Sequence, residues 1–337
     1  MKEKHILPFD DNPVLSSYFH ITYGYSLVAA NLDEETYQFL ITAKYINCVL
    51  TPSPKGPMFI IPVADIVFSN EGFTFYQNFV FCKDTYRGLN IDIVSLLKSY
   101  IRSGIYISGV LNCPQIFPDF EFVSDSIHNY LITGYDDQRE IFVIKSFDEH
   151  SCIKTNEIPY SMFLDGLFGS PKRTIAFYLW SYNPAGNIRL NIPKLILRLN
   201  SYLSSSTTEE FVTHEQRYYG MLAVQKLLEH ILLEAEQTQA VNELHLKSLL
   251  EQKLLMKKRL QYLNSRGIVG DQYLEFSEAV YDMILTAQKY ACRFNQTHAA
   301  IELEKMKQCV LDSLEMEKEY LPDLVTDLSA FLKANEN

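Results

Sequence analysis

The sequence predicts an α+β domain followed by an all-α helical domain, and three observations carry that reading. Up to about residue 200 the chain is rich in aromatic and β-branched residues punctuated by Pro and Gly, the signature of mixed strand and helix. Within that half, 128-HNYLITGY-135 and 140-EIFVIKSF-147 are two apolar runs joined by the polar Asp136-Asp137-Gln138-Arg139, a connection of hairpin length. From about 210 onward Pro is absent until Pro322, and apolar residues recur at helical spacing, as in Leu222, Val224, Leu227, Leu228, Ile231 and Leu232. The Ser/Thr run 204-SSSTTEE-210 interrupts the pattern, so the α+β domain is expected to span 1–205 and the helical domain 210–337.

Taken in chain order, 33-DEETYQFLITAKYI-46 opens with acidic residues that favour a helix N-terminus. The stretch 51-TPSPKGPMFIIPV-63 reads as a loop feeding a strand. A second helix is expected over 91-IDIVSLLKSYIRSG-104, with apolar residues at Ile93, Leu96, Leu97 and Ile101 and Gly104 just past its end. The apolar 105-IYISGVL-111 then reads as a buried strand, and Pro114 and Pro118 force a loop after it. Asp136-Asp137 is read as turn chemistry and not as a metal site, since such carboxylates accept from nearby backbone amides. In the helical half, 245-HLKSLLEQKLLMKKRLQYLNSRG-267 sets Leu246, Leu249, Leu250, Met256, Leu260 and Leu263 on a shared face and ends at Gly267. Lys253, Lys257, Lys258 and Arg259 are expected on the remaining surface, solvated or docked to an acidic partner. The long C-terminal helices bury their apolar faces on one another or in a homodimer.

Composition narrows the function classes. A formal net charge of −11 makes a phosphate backbone an unfavourable partner, so nucleic acid is not expected. The six cysteines are scattered without CxxC or Cys/His ligand spacing, so neither structural zinc nor any other cofactor is expected. The N-terminal residues lack the apolar core of a signal peptide, and no run reaches the roughly 20 apolar residues of a membrane span. A cytoplasmic protein, off the membrane and with reduced cysteines, is the expectation. No GxGxxG, P-loop, HExxH or GxSxG occurs, which removes the simplest nucleotide, zinc-protease and hydrolase readings.

One stretch carries a family likeness. The segment 104-GIYISGVLNCPQIFPDFEFVSDSIHNYLITGYDD-137 joins an apolar strand, a Pro-bearing loop, and a His opening the next strand before Gly-Tyr-Asp-Asp. It resembles the N-terminal domain of the butirosin biosynthesis protein H family, a branch of the papain-like, C39-like cysteine peptidases found beside nonribosomal-peptide gene clusters. The segment 245–263 is similar to the second domain of such proteins. The resemblance implies a Cys-His-Asp/Asn arrangement that takes an acyl or peptidyl group from the phosphopantetheine thioester of a carrier protein and passes it to an amine.

That chemistry makes demands that the residues can be held against. A thiolate needs a His within hydrogen-bond reach, a group that orients the ring, and a helix N-terminus that lowers the thiol pKa. His128 fits the base. Asp148, at the end of the following strand, is the candidate orienting group. Lys145, seventeen positions after His128, is the other occupant, and a cation there opposes imidazolium formation. Where the family has its cysteine, this chain reads 18-YFHITYGYSLVAANLDEE-35, with Ser26 closest to the expected place. Cys48 sits among apolar neighbours that suit an inert core thiol. His20 suits a hydrogen-bonded structural histidine, and Tyr18, Tyr23 and Tyr25 line either a pocket or the core.

Two functions therefore stand. One is an acyl- or amide-transferring enzyme with His128 as base and either Ser26 as nucleophile or none, a positioned amine attacking an already activated thioester. The other is a catalytically inactive papain-like module that docks a carrier protein or synthetase.

Overall fold

A computed structural model describes residues 3–17, 19–43, 46–52, 58–60, 75–83, 88–89, 91–112, 127–147, 153–169, 174–181, 189–206 and 217–335. Contacts divide the chain into two compact units, Met1–Asp33 with Ile66–Asn187, and Glu34–Asp65 with Ile188–Asn337. Each unit contains both helices and strands, so the chain is α+β. The units do not follow a single cut at 205–210. Segment 34–51 joins the C-terminal helices because its backbone carbonyls feed them: Gln252 Nε2 donates to Ile46 O at 2.8 Å and Arg259 Nε to Thr42 O at 2.7 Å.

The first unit is built on one antiparallel sheet. Among the described residues it comprises β1 (Lys4–Ile6), β4 (Phe75–Cys82), β5 (Ile105–Asn112), β6 (Ile127–Asp136), β7 (Ile141–Phe147), β8 (Ile153–Pro159) and β9 (Thr174–Ser181), in the order β4-β9-β5-β6-β7-β8. Strand β1 pairs with Gly134–Asp136, on the β6 edge that β5 covers from Ile127 to Ile132. The expected hairpin is β6 and β7, with Asp136 opposite Ile141 and Asp136 Oδ1 accepting from the amides of Gln138 and Arg139 at 2.9 and 3.3 Å. That is the turn chemistry its carboxylate suggested. A bulge lies between Ile132 and Gly134, and a Cβ on Gly134 would stand 2.6 Å from His5 O, so only glycine lets β1 close on the bulge.

Strand alternation assigns the faces. Helix α1 (Phe19–Asn31) covers one face, its Tyr23 ring against Phe147 at 6.3 Å. Five residues earlier, hence on the other face, Phe142 meets Tyr160 and Phe163 of α4 (Tyr160–Gly169) at 4.6 and 5.0 Å. Its cross-strand partner Tyr135 receives Arg102 Nε at 2.8 Å from α3 (Ile93–Arg102). Helix α3 starts because Asp92 accepts from Ser95 N at 3.1 Å, and it stops at Ser103 with Gly104 at φ +77°. Ile93, Leu97 and Ile101 are its buried stripe, each side chain worth about 1.5–3 kcal/mol.

The second unit contains α2 (Glu34–Ala43), α5 (Ile192–Leu203), α6 (Gly220–Thr238), α7 (Glu243–Ser265), α8 (Gln272–Thr297) and α9 (Ala300–Asn335). With them is a small antiparallel sheet in which β2 (Val49–Thr51) lies between β10 (Tyr218–Tyr219) and β3 (Met58–Ile60). Helix α5 begins with Asn191 capping Lys194 N at 2.9 Å and a proline in its first turn. Helices α8 and α9 run back along one another, with Phe276 stacked on Tyr320 at 5.0 Å and Tyr273 Oη donating to Asp327 at 2.7 Å. Gly220 has φ +55° and a Cβ there would meet Tyr202 O at 2.2 Å, so the β10–α6 junction requires glycine.

Helix α7 departs from its expected amphipathic form. Lys257 and Lys258 are half-buried, but Lys253 and Arg259 are each 1 % exposed and belong to the core. Four cations were expected on a solvated or partner-binding face; two of them instead satisfy groups inside the unit.

Candidate functional site

The candidate catalytic residues Ser26, His128 and Asp148 fall in the first unit. Residues 22–28 of α1 are all buried, which is why this helix shows no polar stripe and sits as an internal element against the sheet. Its placement is fixed by three ties. Tyr23 Oη donates to Lys145 O at 2.9 Å, Asp10 N donates to Ser26 O at 3.3 Å, and Asn31 Nδ2 donates to Tyr106 Oη at 3.1 Å. Tyr23 and Tyr25 are 2 % and 1 % exposed and serve the core.

Ser26 is fully buried, and its Oγ has no hydrogen-bond partner among the described residues. A helical serine ordinarily returns its hydroxyl to the i−4 carbonyl, and leaving it unmade costs about 1–3 kcal/mol. Backbone pairing places His128 in β6 opposite Leu111 of β5. The side chains of His128 and His20, and all of Tyr18 and Asp148, lie outside the described residues.

Lys145 stands opposite Leu131, three positions along β6 from His128. Its Nζ donates to Asp11 Oδ1 at 2.5 Å and to Thr155 Oγ1 at 2.7 Å and lies 5.1 Å from the Phe9 ring centroid. These partners make it a tie between the N-terminal segment and β8. Asp137 is likewise committed: Lys98 Nζ lies 2.5 Å away and Tyr160 Oη donates at 3.0 Å. Burial raises the Asp137 pKa, but the Lys98 and Tyr160 hydrogen bonds outweigh it and hold the carboxyl below its ordinary value.

The second unit holds a polar group that sequence reasoning missed. Lys253 Nζ donates to Glu317 Oε1 and Oε2 at 2.7 and 2.8 Å and to Tyr202 Oη at 2.9 Å, while Tyr202 Oη donates to Glu317 Oε2 at 2.7 Å. Burial, then the Glu317 charge, pushes the Tyr202 hydroxyl well above its ordinary range. Cys48 donates its thiol to Gly220 O at 3.3 Å, and burial pushes it up to about 12, which makes it the inert core thiol expected. With Lys253 and Glu317 each 1 % exposed, and Tyr202 and Cys48 at 0 %, this group is sealed from substrate and is structural.

No family model matches the chain, and no curated protein matches it. Among the described residues no helix is long and apolar enough to cross a membrane.

Proposed function

We propose that the first unit is a papain-like domain of the butirosin biosynthesis protein H type, and that it transfers an acyl or peptidyl group from a carrier-protein thioester to an amine. His128 is the general base and Asp148 orients it. The observation that carries this reading is α1. It is a helix buried from residue 22 to 28 and laid on an antiparallel sheet, the setting that a papain-like fold gives its nucleophile helix, and it holds Ser26 with an uncommitted hydroxyl. That Lys145 is held by Asp11 and Thr155 supports Asp148, and not the cation, as the orienting group. The reading requires the β6/β7 register, set by Leu131 opposite Lys145, to continue by three positions, which pairs position 128 with position 148. Because Ser26 is fully buried, the favoured variant uses no protein nucleophile: His128 takes the proton from an incoming amine that attacks the thioester. The acyl chain reaches the protein on phosphopantetheine, and no resident cofactor takes part. The reaction is placed in specialised-metabolite biosynthesis in the cytoplasm.

The same burial of Ser26 favours a second reading, an inactive papain-like module that docks a carrier protein. Incubation of wild type, His128→Ala and Ser26→Ala with acyl-loaded carrier proteins and amines, followed by intact-protein mass spectrometry, separates them. Discharge by wild type and Ser26→Ala that disappears in His128→Ala supports base-catalysed aminolysis. Carrier binding without discharge by any of the three supports the docking module.

A further inference from the structure

Helices α6 and α7 carry a group of side chains that the acyl-transfer reading does not use. His230 and Glu234 are four residues apart on α6, so they share one face of that helix. His245 lies in the first turn of α7, across the short connection 239–242. That connection is clamped to α8: Asn295 Oδ1 accepts from Val241 N at 2.7 Å, and Asn295 Nδ2 donates to Val241 O at 3.0 Å. The two helices therefore hold their ends in a defined relation. Ligand-capable atoms of His230, Glu234 and His245 all lie within 4.8 Å of one another.

Two of these residues carry a buried polar atom without a partner. His245 is 5 % exposed, and its Nδ1 is buried with no hydrogen-bond partner among the described residues; Glu234 Oε2 is in the same condition. Native structures leave few buried polar atoms orphaned, and the exceptions commonly mark an ion or water that completes the site. Each helix thus contributes one unpartnered buried polar atom to the group, and the His230 ring centroid lies 5.9 Å from that of His245.

We propose that His230, Glu234 and His245 bind one zinc-class divalent ion that joins α6 to α7. Two imidazoles and one carboxylate form a donor set suited to zinc and its neighbours, whereas magnesium and calcium favour all-oxygen sites. A tetrahedral ion with bonds near 2.0–2.2 Å spaces its ligand atoms by about 3.3 Å, so closure asks for side-chain shifts of about 1.5 Å or less. His230 and Glu234 are only half-buried, which lets them make that movement; three protein ligands leave the fourth position of a tetrahedral ion to a water. Three protein ligands with one open position is the pattern of a reactive or exchangeable zinc and not of a closed four-ligand structural one.

The test is metal binding by the full chain after chelator stripping, with zinc titrated by calorimetry, cobalt(II) by visible absorption, and magnesium as control. Wild type is expected to take up one equivalent of zinc, to melt at a higher temperature with it, and to give cobalt the absorption of a low-coordinate site. His230→Ala and Glu234→Gln, both at half-buried positions, are expected to weaken zinc binding by more than the roughly 100-fold that loss of an outer-shell partner brings, while keeping the wild-type circular dichroism. Because His245 is buried and its replacement would disturb packing, these two variants carry the result. No zinc uptake by wild type, unchanged uptake in both folded variants, or equal binding of magnesium would overturn the proposal.

Discussion

Two nearly inaccessible lysines, one in each unit, show how differently a buried cation can be accommodated. Lys145 in the sheet unit has its side chain 8 % exposed, but its partner Asp11 is 53 % exposed and remains largely hydrated. Lys253 in the helical unit pairs with Glu317, and both side chains are 1 % exposed. The first pair needs little from the fold, because water continues to solvate one of its charges. The second has lost water on both sides, so its attraction must offset two desolvations, and Tyr202 supplies the additional hydrogen bonds that this demands.

The largest expected effect tests the sealed pair. Glu317→Ala leaves Lys253 as an uncompensated buried charge and should destabilise the protein by about 3–5 kcal/mol in urea unfolding. The double variant Lys253→Met/Glu317→Leu should recover most of that loss. A double variant as unstable as the single one would show that packing, and not charge pairing, dominates there.

Arg259 sharpens the contrast, because this buried cation donates to backbone carbonyls. Its Nε and Nη2 donate to Thr42 O and Ile41 O at 2.7 and 3.1 Å, near the C-terminus of α2, where carbonyls lack intrahelical partners. Arg259→Met should cost about 1–3 kcal/mol. Faster amide exchange in α2 than in α8 would locate the loss.

A smaller effect concerns a purely local charge. Asp92 caps α3, and Asp92→Ala should cost about 1 kcal/mol. The Ser95 hydroxyl, at 2.6 Å, followed by the Ser95 amide, holds the Asp92 carboxyl below its ordinary value of 3.8. A carboxyl lowered on folding stabilises fully above its unfolded value, so this contribution persists at neutral pH and fades as pH falls below about 3.8 through the lower folded value. Acid titration of the variant should lack that component.

The smallest effect belongs to Asp11→Asn, which removes the hydrated partner of Lys145 and should change stability by no more than about 1 kcal/mol. A loss as large as that of Glu317→Ala would erase the distinction between the two pairs.

Much of the sheet unit was legible because its signals are local. Two apolar runs joined by the polar tetrapeptide locate β6 and β7, and Gly104 closes α3; in the helical unit Gly267 at φ +68° likewise follows α7. The candidate site was legible only as residue types in order. Ser26 stands out only as the residue closest to the place of the family's cysteine; that its helix is buried around it, with its hydroxyl unpartnered, depends on what packs there. The His230, Glu234 and His245 group left one local trace, a histidine and a glutamate four residues apart. A search for cysteine-based ligand spacing passes over it.

By itself, the sequence determined element types, turn positions and helix ends, because caps, glycines and periodic apolar residues act within a few positions of themselves. Tertiary structure alone decided which polar groups lie inside. Lys253 reads as a surface residue by helical periodicity, and what makes it a core residue is Glu317, 64 positions away. Arg259 likewise depends on carbonyls 217 and 218 positions away. Burying a charge is favourable only when distant partners arrive together, and no window of local pattern contains them.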